Sequence, residues 1–397
     1  MKKIIWILLV ACGSLLGTET RAQAIVTGAE QTERYVHELK GKRVGMVVNA
    51  TSIIGKQLSV DTLQKLGINI QKIFAPEHGF RGDFSNGAKI ENGIDLQTGI
   101  SVISLYGKHL KPTPEDLAGL DILIFDIQDV GARFYTYIST LHYVMEACAE
   151  NKLPLLILDR PNPNGFYVDG PVLEEKYKSF IGMHPVPIVH GMTIGEYALM
   201  INGEGWLSNK QQCQLNIVKL ANYTHESPYT LPIKPSPNLN SQQAIYLYPS
   251  LCLFEGTVIS QGRGTQFPFQ VLGNPKLNGK YSFQFKPISI PGMSESPLHR
   301  DQDCFGLDLR NYPVSRLRNS KQLDLKWMIE FYAAYPDKTA FFDFKQHPQM
   351  GNFDKLAGTS SLREQIIAGK TELEIRSSWE PALSQYKLMR KKYLLYP

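Results

Sequence analysis

Apolar and polar positions alternate in a regular rhythm through the first 250 residues of the chain. Arg43–Asn49, Ile68–Ala75, Ile100–Leu105, Ile122–Ile127 and Leu153–Leu158 are short, nearly continuous apolar runs. Such runs predict strands buried on both faces, and Val186–His190 predicts one more. Helix signals fall between them. Ser59 opens a helix that runs to Leu66 and is closed by Gly67. Thr113-Pro114-Glu115-Asp116 supplies an N-cap, a first-turn proline and acids matched to the helix dipole. Leu141, Val144, Met145 and Cys148 recur at helical spacing after a predicted cap at Ser139. Thr193 and Glu196 form the pattern of a capping box. Strands alternating with helices predict an α/β fold with a doubly wound, mostly parallel sheet.

The rhythm breaks at a proline-rich passage, Ser227–Asn240, which predicts a crossing between domains. Beyond Leu251 the chain carries glycine-rich loops, strand signals near Tyr281–Phe285 and Leu307–Leu309, and helix signals near Leu325–Tyr332, Leu362–Ala368 and Glu380–Tyr393. These predict a second, smaller α+β C-terminal domain, with boundaries of 25–250 and 251–397. A cleft between two such domains is the default place for a pocket.

Residues 1–24 change the compartment. Lys2 and Lys3, an apolar core Ile4–Leu16 and Ala22-Gln23-Ala24 read as a secretory signal peptide. Leu9-Val10-Ala11-Cys12 offers a competing lipoprotein box, but the apolar run continues past Cys12, so plain export to the periplasm or medium is favoured. No later stretch is long and apolar enough to predict a transmembrane segment. Loss of Lys2, Lys3, Arg21 and Glu19 takes the net charge from +5 to +3, with 39 basic and 36 acidic residues. That balance argues against a nucleic-acid partner. Cys148, Cys213, Cys252 and Cys304 remain, without zinc spacing, and paired histidines at ligand spacing are lacking. No metal and no cofactor is expected.

Chemistry gathers where the predicted strands end. Asn49, Glu77, Tyr106, Asp126–Asp129, Asp159-Arg160 and His190 follow successive strands and so share one edge of a parallel sheet, where ligands of this fold bind. The turn after the first strand, Ala50–Lys56, has neither a dinucleotide fingerprint nor a P-loop. Polar residues on a shared rim suit a polyhydroxylated ligand instead. The richest segment is Pro76-Glu77-His78-Gly79-Phe80-Arg81-Gly82, a carboxylic acid, an imidazole and a guanidinium between turn residues.

Several long motifs stand in order: PEHGFRG (76–82), FDIQDVGARFYTY (125–137), DRPNPNG (159–165), HGMTIGE (190–196), FEGT (254–257), GRGT (262–265) and YLLYP (393–397). In these the chain resembles the DUF1343 family, associated with exo-β-N-acetylmuramidase activity of the NamZ type, from about Val44 to the last residue. The resemblance implies a Rossmann-like domain with a smaller C-terminal one, and an active site in the cleft between them. It implies release of terminal N-acetylmuramic acid from the non-reducing ends of peptidoglycan fragments, and so muramic-acid glycans as partners in cell-wall recycling. A sugar-binding periplasmic protein without turnover, and an amidase or esterase of cell-wall material, share the same broad features.

Glycoside hydrolysis calls for an acid on the leaving oxygen and a second group as nucleophile or base. Glu77 is the candidate acid. Burial against Phe80 would favour its protonated form, and pairing with Arg81 its carboxylate. Asp126, Asp129 and Glu255 compete for the second role, although Asp126 also suits a structural carboxylate and Asp129 a turn cap. A further route lets the acetamido group of the substrate attack, a known exception to the two-carboxylate rule. His78 and His190 are candidates to orient Glu77 or the substrate, while Glu196 is accounted for by its capping box. The lactyl carboxylate of muramic acid calls for a cation, and Arg81, Arg133, Arg160 and Arg263 stand in rim loops. Tyr135, Tyr137, Asp159 and Asn162 complete the predicted sugar-binding set.

Overall fold

The computed structural model describes residues 23–77, 79–81, 92–342 and 353–397. His78, Cys12 and nearly all of the predicted leader lie outside the described residues. The main sheet has seven strands: β1 (Arg43–Val48), β2 (Asn69–Ala75), β3 (Gly93–Ile94), β4 (Ser101–Ser104), β5 (Ile122–Asp126), β6 (Leu155–Leu158) and β7 (Leu215–Val218). They lie in the order β3-β4-β2-β1-β5-β6-β7. All neighbours are parallel except β3 against β4.

Both faces of this sheet are covered, and the alternation of side chains shows it. Val47, Phe74, Leu123, Phe125, Leu155 and Ile157 enter one apolar core, with α3 (Tyr137–Glu150) and α4 (Ile194–Gly203). Met46, Val48, Ile73, Ile122, Ile124, Leu156 and Leu158 enter the other, with α1 (Thr32–Leu39) and α2 (Ser59–Lys65). Successive strand residues point to opposite faces, so a doubly covered strand must be apolar throughout. The winding is therefore doubly wound, as the apolar runs predict. It reverses between β1 and β5, which makes the carboxyl ends of those two strands the switch point.

The local predictions hold unevenly. Thr113 and Thr193 make capping boxes with Asp116 and Glu196. Ser139, by contrast, lies inside α3, which begins at Tyr137, and its hydroxyl donates to the Phe180 carbonyl. Ser59 is likewise inside α2 and not its cap. Residues 186–190 make only isolated bridges through Val189 to Ala132 and Asp169, not a strand.

A second, antiparallel sheet holds β8 (Val271–Asn274), β9 (Phe283–Phe285) and β10 (Cys304–Asp308), in the order β8-β10-β9. Helix α5 (Gln242–Leu251) leads into this part, and α6 (Glu372–Arg390) closes it. The two parts share one apolar core, which includes Leu141 and Ile201 as well as Phe331 and Leu383. The C-terminal end also returns to the first part. Tyr386 donates to the His190 carbonyl at 2.7 Å, and Tyr396 to Asp159 at 2.6 Å. The described cysteines are buried, unpaired thiols. Among the described residues no helix is long and apolar enough to cross a membrane.

Candidate active site

An open cavity of about 290 Å³ lies at the switch point. Asn49, Ala50 and Thr51 follow β1; Gly79 and Arg81 follow β2; Tyr137 begins α3; Ile233–Pro237 belong to the proline-rich passage; Gly292 comes from the C-terminal part. The passage read as a crossing between domains therefore forms a wall of the cavity.

Glu77 does not itself line this space but adjoins two residues that do, Gly79 in its own turn and Tyr137 at its carbonyl oxygen. The Pro76 carbonyl accepts from the Gly79 N–H at 3.0 Å, and Gly79 has φ +75°, the left-handed conformation that suits glycine. This tight turn stops β2 and leaves Glu77 half-buried. Tyr106, which follows the neighbouring strand β4, donates to Glu77 Oε1 at 3.0 Å, and Thr136 donates to Oε2 at 3.3 Å. The Tyr137 hydroxyl lies 3.4 Å from the Glu77 carbonyl oxygen. Burial, and then the charge of Glu77, push the Tyr106 and Tyr137 hydroxyls upward. Both are neutral donors at ordinary pH. Asn49 adds a fixed carboxamide: its oxygen accepts from the Thr51 N–H at 2.9 Å and the Thr51 hydroxyl at 2.6 Å, and its side chain hydrogen-bonds the Tyr137 hydroxyl.

Arg81 reaches the cavity but does not pair with Glu77. Its guanidinium grips Asp95 through Nε and Nη2 at 2.7 and 2.8 Å, and Nη2 lies 3.4 Å from Asp61. The guanidinium holds Asp95 below the usual carboxylate range. One cation thus faces two carboxylates.

Most of the other predicted site residues are placed elsewhere, for identifiable reasons. Asp126 is fully buried and accepts from Arg160 Nε at 2.7 Å; Arg160 also donates to the Ile53 carbonyl. The two form an internal ion pair below the rim. Asp129 caps its own turn, accepting from the Gly131 N–H at 2.6 Å. Gly131 has φ +81°, and a Cβ there would meet the Asn162 side chain at 2.2 Å, so this turn is closed to other residues. His190 lies 3.6 Å from Asp129 and accepts from the Met192 N–H through Nδ1, wholly inside the protein.

Arg133 is buried and donates to the carbonyls of Pro171, Val186 and Leu356. Asn162 bonds the Asn164 N–H and the Met192 carbonyl. Asp159 accepts from Gly195 N–H, Thr193 and Tyr396, and burial nevertheless pushes it up to about 6. These three tie the fold together and do not face a ligand. Tyr135 stands behind the cavity wall, donating to the Pro235 carbonyl at 2.7 Å, with its ring edge-on to Tyr137. Glu255 is buried with Arg263 at 2.5 Å and Gln261 at 3.0 Å.

Of the predicted set, Glu77, Arg81 and Tyr137 are brought together, with Tyr135 in support. Thr51, Thr136, Lys234 and Ser236 were not singled out beforehand. The only signal for Lys234 and Ser236 is the spacing Lys-Pro-Ser-Pro, a pinned segment with polar side chains. Among the described residues no three His, Cys, Asp or Glu side chains gather in a way that would hold a metal ion.

The chain matches known proteins over nearly its whole length. The family model described as exo-beta-N-acetylmuramidase NamZ, N-terminal, matches residues 44–243, and its C-terminal counterpart matches 246–396. The peptidoglycan beta-N-acetylmuramidase NamZ of Bacillus subtilis is 38% identical, over 96% of this chain and 97% of its own. Two crystal structures of DUF1343 family proteins from Bacteroides fragilis superpose with TM-scores of 0.85 and 0.80, at 44% and 31% identity. Each covers 94% of this chain and 99% of the other.

Proposed function

This chain belongs to the exo-β-N-acetylmuramidase NamZ family, and from that premise we propose a reaction for the cavity at the switch point. The protein is a glycoside hydrolase that releases terminal N-acetylmuramic acid from the non-reducing ends of peptidoglycan fragments. Glu77 is its general acid. The observation that carries this assignment is the setting of Glu77: a half-buried carboxyl group beside the cavity, positioned by Tyr106 and Thr136 and with no arginine paired to it among the described residues. The leader read over residues 1–24 supports work outside the cytoplasm, where such fragments arise.

The second group is the substrate's own acetamide. Asp126 and Glu255 are each buried against an arginine, and Asp129 is buried on the N–H of its own turn. The acetamido oxygen attacks C1 as Glu77 gives its proton to the glycosidic oxygen, and the C1–O bond breaks. Water then attacks C1, passes a proton to Glu77 and reopens the ring. Asn49 and Tyr137, which line the cavity and are hydrogen-bonded to each other, are the polar groups placed to orient the acetamide. Two displacements retain the configuration.

Incubation with a muramic acid–glucosamine disaccharide followed by proton NMR tests both parts. Free N-acetylmuramic acid appearing first as the β anomer is the expected result. First appearance of the α anomer overturns the acetamido route, and binding without sugar release overturns the hydrolase reading.

A further inference from the structure

Muramic acid differs from N-acetylglucosamine by the lactyl ether carboxylate on C3, so an enzyme selective for it needs an available positive charge. The four rim arginines do not supply one. Arg81 faces two carboxylates, Asp95 and Asp61, so its charge is already matched. Arg160 and Arg263 are matched one to one by Asp126 and Glu255. Arg133 is buried on backbone carbonyls.

Lys234 is different. It is exposed, it lines the cavity, and its ammonium has no hydrogen-bond or ion-pair partner among the described residues. The backbone that carries it is pinned before it by the Leu231 N–H, which donates to the Gln242 side-chain oxygen at 3.1 Å, and again after it. Tyr135 donates to the Pro235 carbonyl, Ser236 accepts from the Leu239 N–H at 3.2 Å, and Asn238 donates to the Met293 carbonyl at 2.7 Å. Prolines at 235 and 237 fix φ, and Pro235 also holds Lys234 itself extended. A rigid strap therefore presents one unmatched cation to a cavity whose other lining cation, Arg81, is held by two carboxylates.

We propose that Lys234 is the specificity-determining residue that binds the lactyl carboxylate of the substrate. This rests on the hydrolase reading above. A hydrogen bond between charged groups is worth roughly 10- to 100-fold in affinity or rate. The test compares an aryl β-N-acetylmuramide with its lactyl methyl ester, for the wild type, Lys234→Met and Lys234→Arg.

The wild type is expected to prefer the acid over the ester by roughly 10- to 100-fold in kcat/KM. Lys234→Met is expected to lose that preference, its kcat/KM falling roughly 10- to 100-fold more on the acid than on the ester, and Lys234→Arg to restore most of it. Equal loss on both substrates, or loss on neither, overturns the assignment. Calorimetric binding of N-acetylmuramic acid against its methyl ester repeats the comparison without turnover. An inactive wild type would thus overturn the hydrolase reading, while the Lys234 assignment would still stand or fall on the binding ratio.

Discussion

Asp126→Asn separates a structural carboxylate from a catalytic one. Asp126 is fully buried, and the side chain of its partner Arg160 is 2% exposed, with 2.7 Å between Nε and Oδ1. At an effective dielectric of about 20, opposite charges about 4 Å apart attract by about 4 kcal/mol. Breaking a buried pair from one side costs about 3–5 kcal/mol, because the remaining charge is stranded. Unfolding entropy of roughly 2 cal/mol/K per residue over about 350 ordered residues gives roughly 0.7 kcal/mol/K. The substitution should therefore lower Tm by about 4–7 °C.

Calorimetry reads that shift, and kcat measured per folded molecule well below the transition should stay within about threefold of the wild type. Replacing both partners, Asp126→Leu with Arg160→Met, should recover most of the lost stability, since neither charge is then left unpaired. A collapse of kcat with Tm unchanged would return Asp126 to the catalytic set.

Two further predictions concern the acid and the core. Tyr106→Phe removes the 3.0 Å donor to Glu77 and should lower kcat by roughly 10- to 100-fold with KM little changed; a fall of less than about threefold means this bond does not position the acid. Acid should also weaken the fold. Burial holds His142 down to about 4 and His184 well below its usual range. A histidine depressed in the folded state loses its stabilising contribution as pH falls below about 6.5. Asp159 works in the opposite sense, because a raised carboxyl stabilises at low pH and loses that contribution as pH rises through about 6. The two histidines outweigh the one aspartate, so stability should fall as the pH drops from about 6 towards 4. Urea midpoints that stay level across that range would refute this.

The sheet was legible because burial on both faces forces apolar runs, and β1, β2, β5 and β6 carry them. Strand β7 was not: its Leu215–Val218 segment is partly exposed and includes Asn216, so neither a continuous run nor a clean alternation marks it. Glu77 was legible for a local reason, a strand stopped by a proline and a left-handed glycine. The arginines were not, because a guanidinium's partner is a matter of tertiary position. Asp95 lies 14 residues beyond Arg81, and the Leu356 carbonyl lies 223 residues beyond Arg133. Sequence spacing placed all four in loops but said nothing about which charges were already matched. The proline-rich strap was visible as a break in the pattern, yet its place against the cavity depends on Tyr135 reaching 100 residues forward to Pro235.

The central claim is that Glu77 performs proton transfer at this cavity and is not needed to hold the sugar. Glu77→Gln keeps the shape and the hydrogen-bonding reach while removing the proton to be transferred. The decisive measurement pairs release of N-acetylmuramic acid from a muramic acid–glucosamine disaccharide with calorimetric binding of the same disaccharide, for wild type and variant. The account predicts that turnover falls by at least about 10²-fold with Kd within a few-fold of the wild type. Turnover preserved in Glu77→Gln would contradict it.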